Sequence, residues 1–176
     1  MFGTEAPVWP FLTRFGGPAD PLAPAVDTRV FETYPVLAII SLLWTLPCSR
    51  IAGRLPKYNP ARKKTFSSED WQHVCKRMSD EFRARGLTEI VRWINDAGRK
   101  ASPRKSDQDG VDACLCLLVA LYLAEQTDCL LVGDSQTGYI VVPHGADLRA
   151  ELEVRCNKTG RLPSEWVRVF RLATNA

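Results

Sequence analysis

Two stretches of this chain are apolar on nearly every side, and they constrain the fold more than any other feature. VLAIISLLWTL (Val36 to Leu46) and VDACLCLLVALYLA (Val111 to Ala124) carry almost no polar residue after their first turns. A helix that is hydrophobic all round must be buried within a larger core. Neither is a bilayer span, which needs about 20 apolar residues; Pro47 stops the first after eleven. With 176 residues, 45% hydrophobic and 24% charged, the chain has the composition of one globular unit, which excludes global disorder, collagen and coiled coil.

The rest of the chain supplies elements to cover those helices. TRVFETY (Thr28 to Tyr34) is rich in β-formers and reads as a strand, with Pro35 suited to the first turn of the helix behind it. Ser67 or Ser68 caps a helix whose apolar positions Trp71, Val74, Cys75, Met78 and Phe82 recur at helical spacing, and Glu69 and Asp70 suit its first turn. Leu87, Ile90, Val91 and Ile94 mark a second amphipathic piece, and residues 98–108 read as a polar linker. CLLV and YIVV flank GDSQTG as a hairpin in which Asp134 is ordinary turn chemistry. ADLRAELEVR reads as a helix and EWVRVFRL as an edge strand.

The expected architecture is therefore α/β and helix-rich, a small mixed sheet flanked by helices. Residues 1–25 form a proline-rich coil with five of the twelve prolines, 26–145 the core, and 146–176 a C-terminal extension. The six cysteines form no C-x-x-C pair and sit mainly in apolar runs, so they read as reduced core thiols of a cytoplasmic protein and not as zinc ligands. The first residues lack the basic and apolar regions of a secretory leader. His73 reads as a helix residue satisfied by a partner, and His144 as exposed.

Two places offer chemistry. Arg50 to Lys64 holds six basic residues and no acidic one, interrupted by Gly53, Pro56 and Pro60, so it is a loop. The bland reading is a solvated charge run. The functional one is a nucleic-acid contact, with Arg50, Arg54, Lys57, Arg62, Lys63 and Lys64 neutralising phosphates and Tyr58 stacking on a base. Glu32 lies within its apolar strand, and Asp109 and Asp112 open the third helix, Asp109 as its cap. Carboxylates from separate segments can share a hard cation and activate water against a phosphodiester.

FETYP, KYNPARKK, DGVDA and GYIVVP, in this order and spacing, resemble the predicted ribonuclease H-like nucleases known as domain of unknown function 429. The resemblance covers residues 5–145. It implies a partial ribonuclease H-like fold and a nuclease site with Glu32, Asp109 and Asp112 as catalytic acids. Glu32 and Asp112 would hold Mg²⁺ or Mn²⁺. The family's first strand supplies an aspartate in a G-[IL]-D context, and nothing before Glu32 fits that pattern. Two function classes follow: a metal-dependent phosphodiesterase acting on nucleic acid, weak for want of that acid, or a non-catalytic remnant serving as an interaction module. A bare strand beside Glu32 implies association, as a homodimer or with a strand-donating partner.

Overall fold

Ser67 stops the chain in extended geometry and accepts the Asp70 N–H at 3.2 Å, and from that cap helix α2 runs over Ser68–Ala84. Its buried face is Trp71, Val74, Cys75, Met78 and Phe82, the set that the spacing picks out. The structure, a computed structural model, describes residues 10, 13–14, 20–23, 30–42, 55–134 and 137–172. Before α2 stands the short helix α1 (Pro35–Ser41), opened by its proline. After it come α3 (Thr88–Gly98), α4 (Lys105–Ala124), strands β1 (Cys129–Asp134) and β2 (Gly138–Pro143), α5 (Ala146–Lys158), the single turn α6 (Pro163–Trp166) and β3 (Val167–Phe170).

The three strands form one antiparallel sheet in the order β2-β1-β3, with Leu131 opposite both Val141 and Arg168. The sheet is antiparallel, not mixed. The last strand, read from EWVRVFRL, is the edge strand it was expected to be, and Leu148, Val167 and Phe170 share a buried cluster with β1 and β2. The β1–β2 turn depends on Gly133, whose φ of +110° suits glycine and whose Cβ would run into the Gly138 carbonyl oxygen. Asp134 serves that turn, accepting the Thr137 N–H at 2.7 Å and its hydroxyl at 2.9 Å.

Residues 30–34 form neither strand nor helix; the rest of the expected strand lies outside the described residues. One hydrogen bond ties them to the outer edge of β2, from Val141 N–H to the Glu32 carbonyl at 2.8 Å. The Ser41 hydroxyl donates to the Pro143 carbonyl on the same edge. Backbone groups of β2 thus find partners in a passing segment without a fourth strand being built.

Two clusters make up the core, and α4 joins them. Val111, Leu115 and Leu118 pack with Trp71, Phe82, Ile94, Ile39 and Tyr58 between the helices. Val119 and Leu123, a turn further on, pack on the sheet beside Leu131 and Val141. Trp71 is fully buried, its indole N–H donating to the Ala97 carbonyl at 3.1 Å, so the ring locks α2 to α3 and its one polar atom is satisfied. Among the described residues no helix is long and apolar enough to cross a membrane.

Candidate functional site

The basic loop is tied down at its base. Asp70, 1% exposed, accepts the Lys57 N–H at 2.8 Å, and the Lys57 carbonyl accepts the Ser67 N–H at 2.7 Å. Within the loop, Asn59 accepts the Ala61 N–H on its side chain at 2.9 Å and the Arg62 N–H on its carbonyl at 3.1 Å. The Arg62 carbonyl in turn takes the N–H groups of Thr65 and Phe66 at 2.8 and 2.9 Å. A chain with prolines at 56 and 60 has few donors for a ladder, and these turn bonds replace one. Lys57, Arg62, Lys63 and Lys64 all project into solvent, and none forms an ion pair with another described residue. A concavity open to solvent lies along Ala61 to Thr65. Arg50 and Arg54 lie outside the described residues.

Tyr58 does something different from what its basic neighbours suggest. It is 2% exposed, so its ring has no face to offer a base. Its hydroxyl donates to Asp112 Oδ1 at 2.6 Å, while Gln108 Nε2 donates to Asp112 Oδ2 at 3.0 Å. Burial, then the bond to this carboxylate and its charge, hold the Tyr58 phenol far above its ordinary range. Burial also raises Asp112; the donation from Tyr58, the charge of Lys105 and the donation from Gln108 partly counter it. The arrangement is a clasp between the loop and α4, with each oxygen of the carboxylate already engaged.

The other two acids are elsewhere. Helix α4 begins at Lys105, with Arg104 as its N-cap and the Asp107 carboxylate accepting the Arg104 N–H at 2.7 Å. Residues 105–108 are therefore helical and not linker. Asp109 is not the cap, and Asp112 stands two turns inside the helix, beyond the reach of its positive end. Asp109 is exposed and paired with Lys105. Glu32 is exposed on the β2 side. There burial and the charges of Asp20 and Glu32 push the Tyr139 phenol up to about 12.

Among the described residues no group of three or more His, Cys, Asp or Glu side chains could hold a metal ion, so Glu32, Asp109 and Asp112 are not gathered into one. His73 also departs from expectation, since its Nε2 is buried without a partner; His144 is exposed as expected. Two positioning roles were not expected from the sequence: Asp70, placed there only in the first turn of α2, holds Lys57, and Gln108 holds Asp112. Gln108 had a signal, standing one turn before Asp112 on the same helix face.

Comparison with known proteins adds nothing to this geometry: no family model, curated protein or solved structure matches the chain. The class that fold and site define is a helix-rich α/β protein with a three-stranded antiparallel sheet and an anchored cationic loop.

Proposed function

We propose that this chain is a non-catalytic nucleic-acid-binding module, with the loop 57–64 contacting the phosphate backbone. The observation that carries the reading is the loop itself. Four cations are held out on a hydrogen-bonded frame, with no described carboxylate neutralising any of them. A loop already ordered loses little entropy on binding, and each phosphate it neutralises releases counterions. The clasp supports binding over hydrolysis, because a carboxylate held by Tyr58 and Gln108 is occupied in orienting the loop. Contact through phosphates alone carries no sequence information, so the expected binding is unspecific in sequence.

Fluorescence anisotropy with labelled 20-nucleotide DNA and RNA, single- and double-stranded, tests this reading. The chain binds at low salt, and the variant Lys57→Glu/Arg62→Glu/Lys63→Glu/Lys64→Glu does not, with its fold unchanged. Cleavage of the same probes on adding Mg²⁺ or Mn²⁺, lost in Asp112→Asn, would establish the phosphodiesterase reading instead. No binding of any probe would remove both.

A further inference from the structure

The cationic loop ends on a hydroxyl. Thr65 is exposed, follows Arg62, Lys63 and Lys64 directly, and lines the same concavity. Its N–H closes the turn on the Arg62 carbonyl at 2.8 Å, while its hydroxyl has only a long 3.4 Å contact to that oxygen. The turn also leaves donors idle, since the N–H groups of Lys63 and Lys64 have no acceptor among the described residues. Other hydroxyls beside basic residues lack this setting. The Ser67 hydroxyl is engaged as the cap of α2, and Ser68 lies within that helix, followed by Glu69 and Asp70. Ser102 has an arginine three residues before it, as Thr65 does, but Arg99 is paired with Asp96 and Lys100 with Asp107, and Pro103 after it is buried.

We propose that Thr65 is a phosphorylation site for a protein kinase whose acidic groove reads Arg62, Lys63 and Lys64, and that the phosphate switches the loop off as a nucleic-acid contact. The switch rests on the loop being that contact; the site does not. Cations that hold no ion pair are free to meet a kinase's carboxylates without breaking one. In the transfer, Thr65 Oγ1 attacks the γ-phosphorus of ATP. The new P–O bond forms as the bond to the β–γ bridging oxygen breaks, ADP leaves, and the hydroxyl proton passes to the kinase's base. The product carries a charge of about −1.5 to −2 and three acceptor oxygens. These suit the idle N–H groups of Lys63 and Lys64 and the cations around them, which then no longer serve a nucleic acid. Neutralising about two of the four cations lowers duplex affinity about 100-fold at about 50 mM salt.

Cyclic-AMP-dependent protein kinase, which reads an arginine three residues before its acceptor, tests the site when applied with ATP and Mg²⁺ to the full chain, with intact mass and peptide mapping as the readout. One phosphoryl group arrives, on Thr65. Thr65→Val takes none, and Arg62→Ala takes it about tenfold more slowly, the equivalent of one charge-assisted hydrogen bond. Both positions are exposed, so the variants keep the wild-type circular dichroism. Anisotropy with labelled duplex DNA reads the switch. The slope of log Kobs against log salt moves from about −3.6 to about −1.8 on phosphorylation and to about −2.7 in Thr65→Glu, and Thr65→Gln leaves it unchanged. No transfer, or transfer to Ser102 or another hydroxyl instead, overturns the site. Binding that persists unchanged through phosphorylation of Thr65 overturns the switch and leaves the loop's role as a nucleic-acid contact standing. A chain that binds nothing in either form removes that role and the switch together.

Discussion

Replacing Asp112 by alanine should unfold the chain more readily, because it strands two buried donors at once. The Tyr58 hydroxyl loses a charged acceptor at 2.6 Å, and Gln108 Nε2 loses one at 3.0 Å, on residues 2% and 7% exposed. A hydrogen bond to a charged group contributes about 1.5–3 kcal/mol, and an unsatisfied buried donor costs about 1–3 kcal/mol. Burial of the Asp112 carboxylate is itself unfavourable and offsets part of this, so the expected net loss is about 3 kcal/mol. Asp112→Asn keeps an oxygen for Tyr58 and should lose about 1 kcal/mol. Tyr58→Phe removes one donor and leaves a carboxylate that water can reach, for about 1.5 kcal/mol. In the double variant Tyr58→Phe/Asp112→Ala no stranded phenol remains, so the loss falls short of the sum by about 1.5 kcal/mol or more. Urea unfolding followed by fluorescence reads this well, since Trp71 is fully buried in the adjoining cluster. Asp112→Ala within 0.5 kcal/mol of wild type would refute the clasp, as would strictly additive single changes.

Further expectations concern other joints. Arg85 grips Glu125 through two bonds of 2.6 and 2.8 Å and Glu81 at 2.8 Å, with its guanidinium over the Tyr122 ring. Arg85→Met should cost about 2 kcal/mol, or about 4–8 °C in Tm, and calorimetry showing no shift would contradict it. Gly133→Ala should cost about 3 kcal/mol or more because its Cβ meets backbone. Gly138→Ala, with a similar φ and open space, should cost only about 1–2 kcal/mol; equal losses in urea unfolding would contradict the steric account. Burial, aided by the nearby Arg77 charge, lowers the His73 pKa from 6.5, so the unfolded chain takes up the proton first. This contribution to stability is complete above pH 6.5 and declines as pH falls towards the folded-state pKa. Melts between about pH 8 and 5 should therefore lose less stability in His73→Gln than in wild type.

Much of the fold was legible because its signals are local. The Ser67 cap, the helical spacing from Trp71 to Phe82, and the CLLV and YIVV runs each depend on neighbours in sequence, and each stands in the structure. TRVFETY misled because β-propensity reflects packing on a pleated surface, and residues 30–34 make a single ladder-like bond to β2. The start of α4 was hidden for a different reason. Its capping carboxylate, Asp107, lies inside the helix, in a stretch of polar residues that looks like linker. At the site, the four exposed cations were legible as a basic run. The burial of Tyr58 was not, since its hydroxyl's partner is an acid 54 residues away on a helix that the sequence started five residues too late.

The salt dependence of nucleic-acid binding tests the central claim most directly. Four phosphate contacts from Lys57, Arg62, Lys63 and Lys64 predict that log Kobs falls against log salt with a slope of about −3.6 on duplex DNA and −2.8 on a single strand. Lys63→Gln/Lys64→Gln should bring the duplex slope to about −1.8, half the wild-type value, at any sequence tried. A wild-type slope near zero, or one that the double substitution leaves unchanged, would show that the loop is not what holds the nucleic acid.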